Sequence, residues 1–265
     1  MIRMHKKVLV VDSDYFFVEF LGELLTKRGY EVLKAYNGKE GIARLEGDTV
    51  DILFADLVLP KVDGPQFFKF IRNKYNGNPF PLVALSGIMI EQLGSLDEIE
   101  ADYFIAKGPI DQLTIKLNEF MTEIETRPYC PPVDKKVIAA GSVFPRRDAM
   151  ELLNALQFQQ AVIECAAAGV IVVDGDSRII NANRAALEII GKRSAEVLNC
   201  PVADLFVSAE RAELVEGLKL VKRQVDVKKY SFYATFNSRV IGTLISSIEL
   251  KSESVGWVVV LQPAP

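Results

Sequence analysis

Five short apolar runs, spaced through the first 125 residues with almost no polar interruption, constrain this chain more than any other feature. They are Val8 to Val11, Glu31 to Ala35, Asp51 to Ala55, Leu82 to Leu85 and Tyr103 to Ala106. A run of four or five largely β-branched or aliphatic residues without polar alternation suits a strand covered on both faces, as parallel strands are. Amphipathic stretches beginning near Tyr15, Lys39, Pro65, Glu91 and Ile110 separate the runs. The order is five βα units, which predicts a doubly wound α/β domain with a five-stranded parallel sheet over residues 1–125.

The remaining chain follows a different pattern. At 265 residues and 49% apolar content there is material for two domains, each with its own core. Pro128, Pro131, Pro132 and Pro145 interrupt any helix and mark residues 126–146 as a linker. A connecting helix is expected over residues 147–168. Its Ala149, Leu152, Leu156, Ile163 and Ala166 fall on steps of three and four, with Gln159 as the polar interruption. That stripe would either pair two copies through residues 149–166 or pack on its own domain. From 169 to 265 the pattern becomes a hairpin around Asp174-Gly175-Asp176-Ser177, several short helical pieces, and three further strands. This is an α+β domain on an antiparallel sheet.

Composition excludes several functions. Cys130, Cys165 and Cys200 lack CxxC spacing and suggest neither a disulfide framework nor a zinc site. His5 is the only histidine, which removes Ser-His-Asp triads, HExxH zinc sites and histidine-held haem in the second half. Residues 1–125 carry 14 basic and 20 acidic side chains, a charge of −6, and the rest is +2. An acidic first domain repels phosphate backbones, so no nucleic-acid partner is expected; the cluster Lys219, Lys222, Arg223, Lys228 and Lys229 reads as a solvated face. No apolar run approaches the roughly 20 residues that span a bilayer, and no secretory leader is evident. The expected location is the cytoplasm, without a membrane partner.

In open parallel sheets, functional residues gather at the carboxyl ends of strands. Four polar groups stand there: Asp12 after the first run, Asp56 after the third, Ser86 after the fourth and Lys107 after the fifth. Neighbouring carboxylates need a cation to offset their repulsion, and oxygen-only ligands favour Mg2+. A carboxylate, Mg2+, a hydroxyl and an ammonium together can neutralise the oxygens of a transferring phosphoryl group.

With these residues in place, positions 6–125 resemble the receiver domain of bacterial two-component response regulators. The most specific stretch is Asp56-Leu57-Val58-Leu59-Pro60-Lys61-Val62-Asp63-Gly64. The resemblance implies a flavodoxin-like fold and a phosphoacceptor at Asp56. It also implies Mg2+ held by Asp12, Asp56 and the backbone carbonyl of Val58, a phosphoryl contact from Ser86, and an ion pair from Lys107. Phe104 takes the family's aromatic switch position, coupled to movement of Ser86. Two departures stand out. The second acidic residue of the family's pair is Ser13 here, with Asp14 one further as a substitute ligand, and Lys107 is followed by Gly108 before Pro109.

Residues 155–262 resemble a PAS domain. The stretches that carry this are Gly169 to Asp174, Arg178 to Ala186, Gly191, and Gly256 to Leu261. Such domains sense small molecules or light, or dimerise. Asn199-Cys200 invites comparison with light-sensing flavin domains, but the alignment puts Val202 at the reactive position. The expectation is a core without a ligand. No kinase phosphoacceptor histidine, GxxxxGK[ST] loop or helix-turn-helix is present, so output is expected through protein contact.

The chain thus reads as a response regulator that is not an enzyme beyond phosphoryl transfer to its own aspartate. Its partners would be a sensor histidine kinase, a downstream protein and a second copy of itself. Two alternatives come from other classes. One is a phosphorylation-independent scaffold or ligand sensor. The other is a phosphatase, because Asp12-Ser13-Asp14 also resembles the DxD motif of haloacid dehalogenase-type phosphatases. That family's late acidic pair has no counterpart here.

Overall fold

Each of the five apolar runs becomes a strand; four are buried along nearly their whole length, while Glu31–Ala35, at the sheet edge, is fully buried only at Ala35. In the computed structural model these are β1 (Lys7–Val11), β2 (Glu31–Ala35), β3 (Ile52–Asp56), β4 (Leu82–Ser86) and β5 (Tyr103–Ala106). They pair in parallel in the order β2-β1-β3-β4-β5. Every residue of β3 and β4 is buried. The structure describes residues 6–76, 80–87, 99–126, 129, 131, 136–138, 158–223, 229–250 and 253–263. The chain divides into two compact units, 1–155 and 156–265.

Helices α1 (Tyr15–Lys27), α2 (Gly38–Gly47), α3 (Gly64–Lys74) and α4 (Ile110–Thr126) accompany the first sheet. Their starts follow from capping chemistry: Asp14, Asn37 and Asp63 each accept backbone N–H bonds that would otherwise have no partner in the first turn. The expected helix near Glu91 lies outside the described residues.

The sheet has six strands, where five are expected. Lys136–Ile138, inside the stretch read as linker, forms β6 and pairs in parallel with β5, setting Val137 beside Phe104. Three residues among prolines carry no periodic signal, yet β5 would otherwise present an open edge of backbone donors and acceptors. A second tie lies at the other end of the strands. Tyr129 Oη donates to Asp102 Oδ2 at 2.7 Å, and the same buried carboxylate accepts the Leu82 N–H and pairs with Arg72.

The first described residues of the second unit, 158–164, are helical and are labelled α5. Of the stripe expected on this helix, Ala149, Leu152 and Leu156 lie outside the described residues; Ile163 and Ala166 are half-buried, while Phe158 and Val162 are exposed. Strands β7 (Gly169–Asp174), β8 (Ile179–Ala182), β9 (Lys229–Phe236), β10 (Arg239–Leu250) and β11 (Glu253–Pro263) form an antiparallel sheet ordered β8-β7-β11-β10-β9. Between the hairpin and β9 run α6 (Arg184–Ile190), α7 (Ser194–Val197), a 3-10 turn at Val202–Leu205 and α8 (Ser208–Arg223). Period-two burial along the strands turns Ile171, Val173, Ile245, Val259 and Leu261 toward a core shared with Val202, Leu214 and Leu218. Trp257 closes it, donating Nε1–H to the Leu218 carbonyl at 3.1 Å.

Asn183 fastens this unit together. Fully buried, it accepts from the N–H groups of Val170 (2.8 Å) and Ala186 (2.9 Å) and donates to the carbonyls of Ile163 (2.9 Å) and Ala168 (3.0 Å). Two donors and two acceptors are all used. Asn183→Asp keeps the shape but turns two donors into acceptors facing carbonyl oxygens. The expected loss is about 3 kcal/mol of stability. Trp257, the chain's single tryptophan, lets urea unfolding of this unit be followed by fluorescence, and the midpoint should fall accordingly.

Candidate functional site

Strand register brings the charges together. Val11 pairs with Ala55, so Asp12 and Asp56 follow at the ends of adjacent strands, beside the point where strand order reverses. Ser86 ends β4, and Lys107, just after β5, donates its backbone N–H to the Ser86 carbonyl at 2.6 Å. The Lys107 side chain reaches back across β4. Its Nζ stands 2.6 Å from Asp56 Oδ2 and 2.5 Å from Asp12 Oδ2. The contact with Asp56 is a hydrogen bond; that with Asp12 is an ion pair out of line for one.

Burial sets the electrostatics. Asp12 is fully buried, and Asp56 and Ser86 nearly so. Burial first, and the negative charge of Asp56 second, push the Asp12 carboxyl from the usual 3.8 up to about 6, against the opposing pull of Lys107. Burial also works against the charge on Lys107. The negative charges of Asp56 and Asp12 beside it outweigh burial and hold the ammonium above its ordinary pKa. One cation therefore compensates two carboxylates in a site largely closed to water.

The stretch after Asp56 explains itself residue by residue. Leu57, Leu59 and Val62 are buried and pin the loop, while Lys61 turns it at φ 70°. The Val58 N–H donates to Asp56 Oδ1 at 3.3 Å. Asp63 caps α3 through the Gln66 N–H at 2.8 Å. Gly64 lies so close to the backbone of Asp56 and Leu57 that a Cβ would come within 2.6 Å of both. Only glycine permits that approach.

The other predicted residues fall as follows. Ser13 is exposed. Asp14 is exposed too, and its Oδ1 accepts from the N–H groups of Phe16 and Phe17, so it works as the α1 cap; its own N–H donates to Asp12 Oδ1 at 2.9 Å. Among the described residues no three His, Cys, Asp or Glu side chains converge as a metal cluster. The donors that do meet are two carboxylates and the nearby backbone of Val58. They are hard oxygens suited to a small divalent cation, and Asp12 Oδ2 is buried without a hydrogen bond. Phe104 is fully buried on β5. Phe17, which nothing in the spacing singles out, lies with its ring 4.6 Å from Lys107 Nζ. The only sequence cue is its place in the first turn of the helix that follows Asp12.

Comparison with known proteins divides the chain in the same two parts. The family described as the response regulator receiver domain matches residues 8–118, and the PAS fold family matches residues 157–263. The uncharacterized transcriptional regulatory protein YcbL of Bacillus subtilis is 33% identical over 99 residues, covering 37% of this chain and 43% of that protein. The alkaline phosphatase synthesis transcriptional regulatory protein PhoP of the same organism is 31% identical over 104 residues, or 39% of this chain and 43% of its own. The chain spans about half the length of the curated relatives it matches. Among solved structures, the PAS domain of a Colwellia psychrerythraea protein is 15% identical, with TM-score 0.36, over 42% of this chain and 97% of its own.

The pKa of Asp12 gives a pH signature. A carboxyl raised from 3.8 to about 6 keeps, in the folded state, a proton that the unfolded chain releases. Its contribution to stability therefore falls as pH rises through that interval. Asp12→Asn removes this titration. With chelator present, the wild-type urea midpoint minus that of Asp12→Asn should decline from about pH 4 to about pH 6 and then level off. A difference that stays flat across the interval would contradict the assignment.

Proposed function

We propose, for a chain that joins a response regulator receiver domain (residues 8–118) to a PAS domain (residues 157–263), that Asp56 accepts a phosphoryl group from the phosphohistidine of a partner kinase. The observation that carries this reading is the Lys107 ammonium, bridging Asp56 and Asp12 at the carboxyl end of the sheet. An Asp56 carboxylate oxygen attacks phosphorus, the P–N bond to the imidazole breaks, and the imidazole nitrogen departs with the bonding pair. Lys107 already touches Asp56 and stays beside the oxygens that gain charge. The Ser86 hydroxyl, at the end of the adjacent strand, supplies a hydrogen bond to the same group. Asp12, Asp56 and the Val58 carbonyl would hold Mg2+, which when bound supplies positive charge to the phosphoryl oxygens.

Output follows from the strand order. Movement of Ser86 toward the new phosphoryl group leaves room for the Phe104 ring to shift, and Phe104 pairs in register with Val137 of β6. From β6 the chain continues toward the PAS domain, so the signal leaves through the sheet edge into protein contacts with a downstream partner or a second copy.

A second reading is favoured by Ser13. With a hydroxyl where the resemblance calls for a carboxylate, and Asp14 engaged as a helix cap, the domain would act as a scaffold that is never phosphorylated. One experiment separates the two. Intact-mass measurement after incubation with Mg2+ and acetyl phosphate should show the gain of one phosphoryl group in wild type and none in Asp56→Asn. Equal gain in both, or none in wild type, sinks the acceptor reading.

A further inference from the structure

Lys107 has a third neighbour besides its two carboxylates, and it carries no charge. The Phe17 ring lies under Nζ, with 4.6 Å between the ammonium and the ring centroid. Phe17 is 8% exposed and the Lys107 side chain 17%, so the contact is largely shielded from water. A cation over an aromatic face is attracted by the ring quadrupole, and more strongly once desolvated.

We propose that Phe17 is a positioning residue that holds the Lys107 ammonium in place for phosphoryl transfer to Asp56. This rests on the acceptor reading above. The physical argument is one of competition. A third carboxylate beside Lys107 would also fix the ammonium, but it would occupy another N–H and repel an arriving phosphoryl group. An aromatic face attracts the cation while adding neither an acceptor nor a net charge. The ammonium is therefore restrained on the ring side and remains free to turn its N–H groups from carboxylate oxygens to phosphoryl oxygens.

The first turn of α1 is built to place this ring. Asp14 Oδ1 accepts the Phe17 N–H at 3.3 Å and the Phe16 N–H at 2.9 Å, while the Asp14 N–H donates to Asp12 Oδ1 at 2.9 Å. One short stretch thus orients Asp12 and, through Phe17, Lys107. Behind the ring, Phe20 packs at a centroid distance of 6.0 Å. That packing is the competing explanation, in which Phe17 is an ordinary core residue.

Two variants of the full chain separate these explanations: Phe17→Leu, and a chain with a ring-fluorinated phenylalanine at position 17. Fluorination keeps the ring's approximate size and drains its negative face, so a core role is barely touched while attraction for the ammonium falls. The first measurement is the Lys107 ε-methylene resonances in the unphosphorylated protein. These should lie upfield of free lysine in wild type and move toward it in both variants. The second is the rate of phosphoryl uptake from acetyl phosphate with Mg2+, expected to fall on the order of tenfold in Phe17→Leu and to an intermediate value with the fluorinated ring. Wild-type resonances and rate in the fluorinated protein would overturn the proposal, as would a wild-type rate in Phe17→Leu. If wild type takes up no phosphoryl group, the acceptor reading fails and the positioning role with it. Unshifted Lys107 resonances together with normal uptake remove the Phe17 role alone.

Discussion

The first domain is organised around one charge balance: a single ammonium, Lys107, held between two buried carboxylates. Two adjacent parallel strands that both end in aspartate create a repulsion the fold must answer, and water cannot answer it because Asp12 has no exposed surface. Lys107 answers it from the far side of β4. The balance holds only if β1, β3, β4 and β5 keep their register, since a shift of one residue along any of them would turn a site residue to the other face.

The neighbouring features support that alignment. Buried Leu57, Leu59 and Val62 fasten the loop after Asp56, and Gly64 lets α3 start against the backbone of Asp56 and Leu57. Asp14 ties the start of α1 to Asp12. At the opposite ends of the strands, Asp102 joins Arg72, Leu82 and Tyr129, so the segment beyond α4 is fastened to the sheet before it reaches β6. In the PAS domain a neutral residue, Asn183, does comparable joining with hydrogen bonds alone. There the cost of burial is met by full hydrogen bonding, not by opposed charge.

Much of this was legible along the chain. Short, largely apolar runs identified five strands of the first sheet, and the polar residue following four of them named Asp12, Asp56, Ser86 and Lys107. The motif from Asp56 to Gly64 was readable because several of its residues answer a local demand: buried Leu57, Leu59 and Val62, the Asp63 cap and the close approach at Gly64. Two features were not legible. β6 is three residues long and lies among prolines, so neither period nor propensity marks it. Phe17 is one of three consecutive aromatic residues, Tyr15 to Phe17, and nothing in the spacing sets it apart from its neighbours.

Sequence alone therefore determined the kind of most elements, the two-domain order and the identity of the polar residues at the strand ends. These follow from periodicity, turn chemistry and capping, all of which act between residues close in the chain. Tertiary structure alone decided that Lys107 bridges both carboxylates, that a sixth strand closes the β5 edge, and that an aromatic ring lies under the ammonium. Each of those depends on the register and packing of segments far apart in sequence, where burial removes water as the alternative partner and leaves the nearest protein group to take its place.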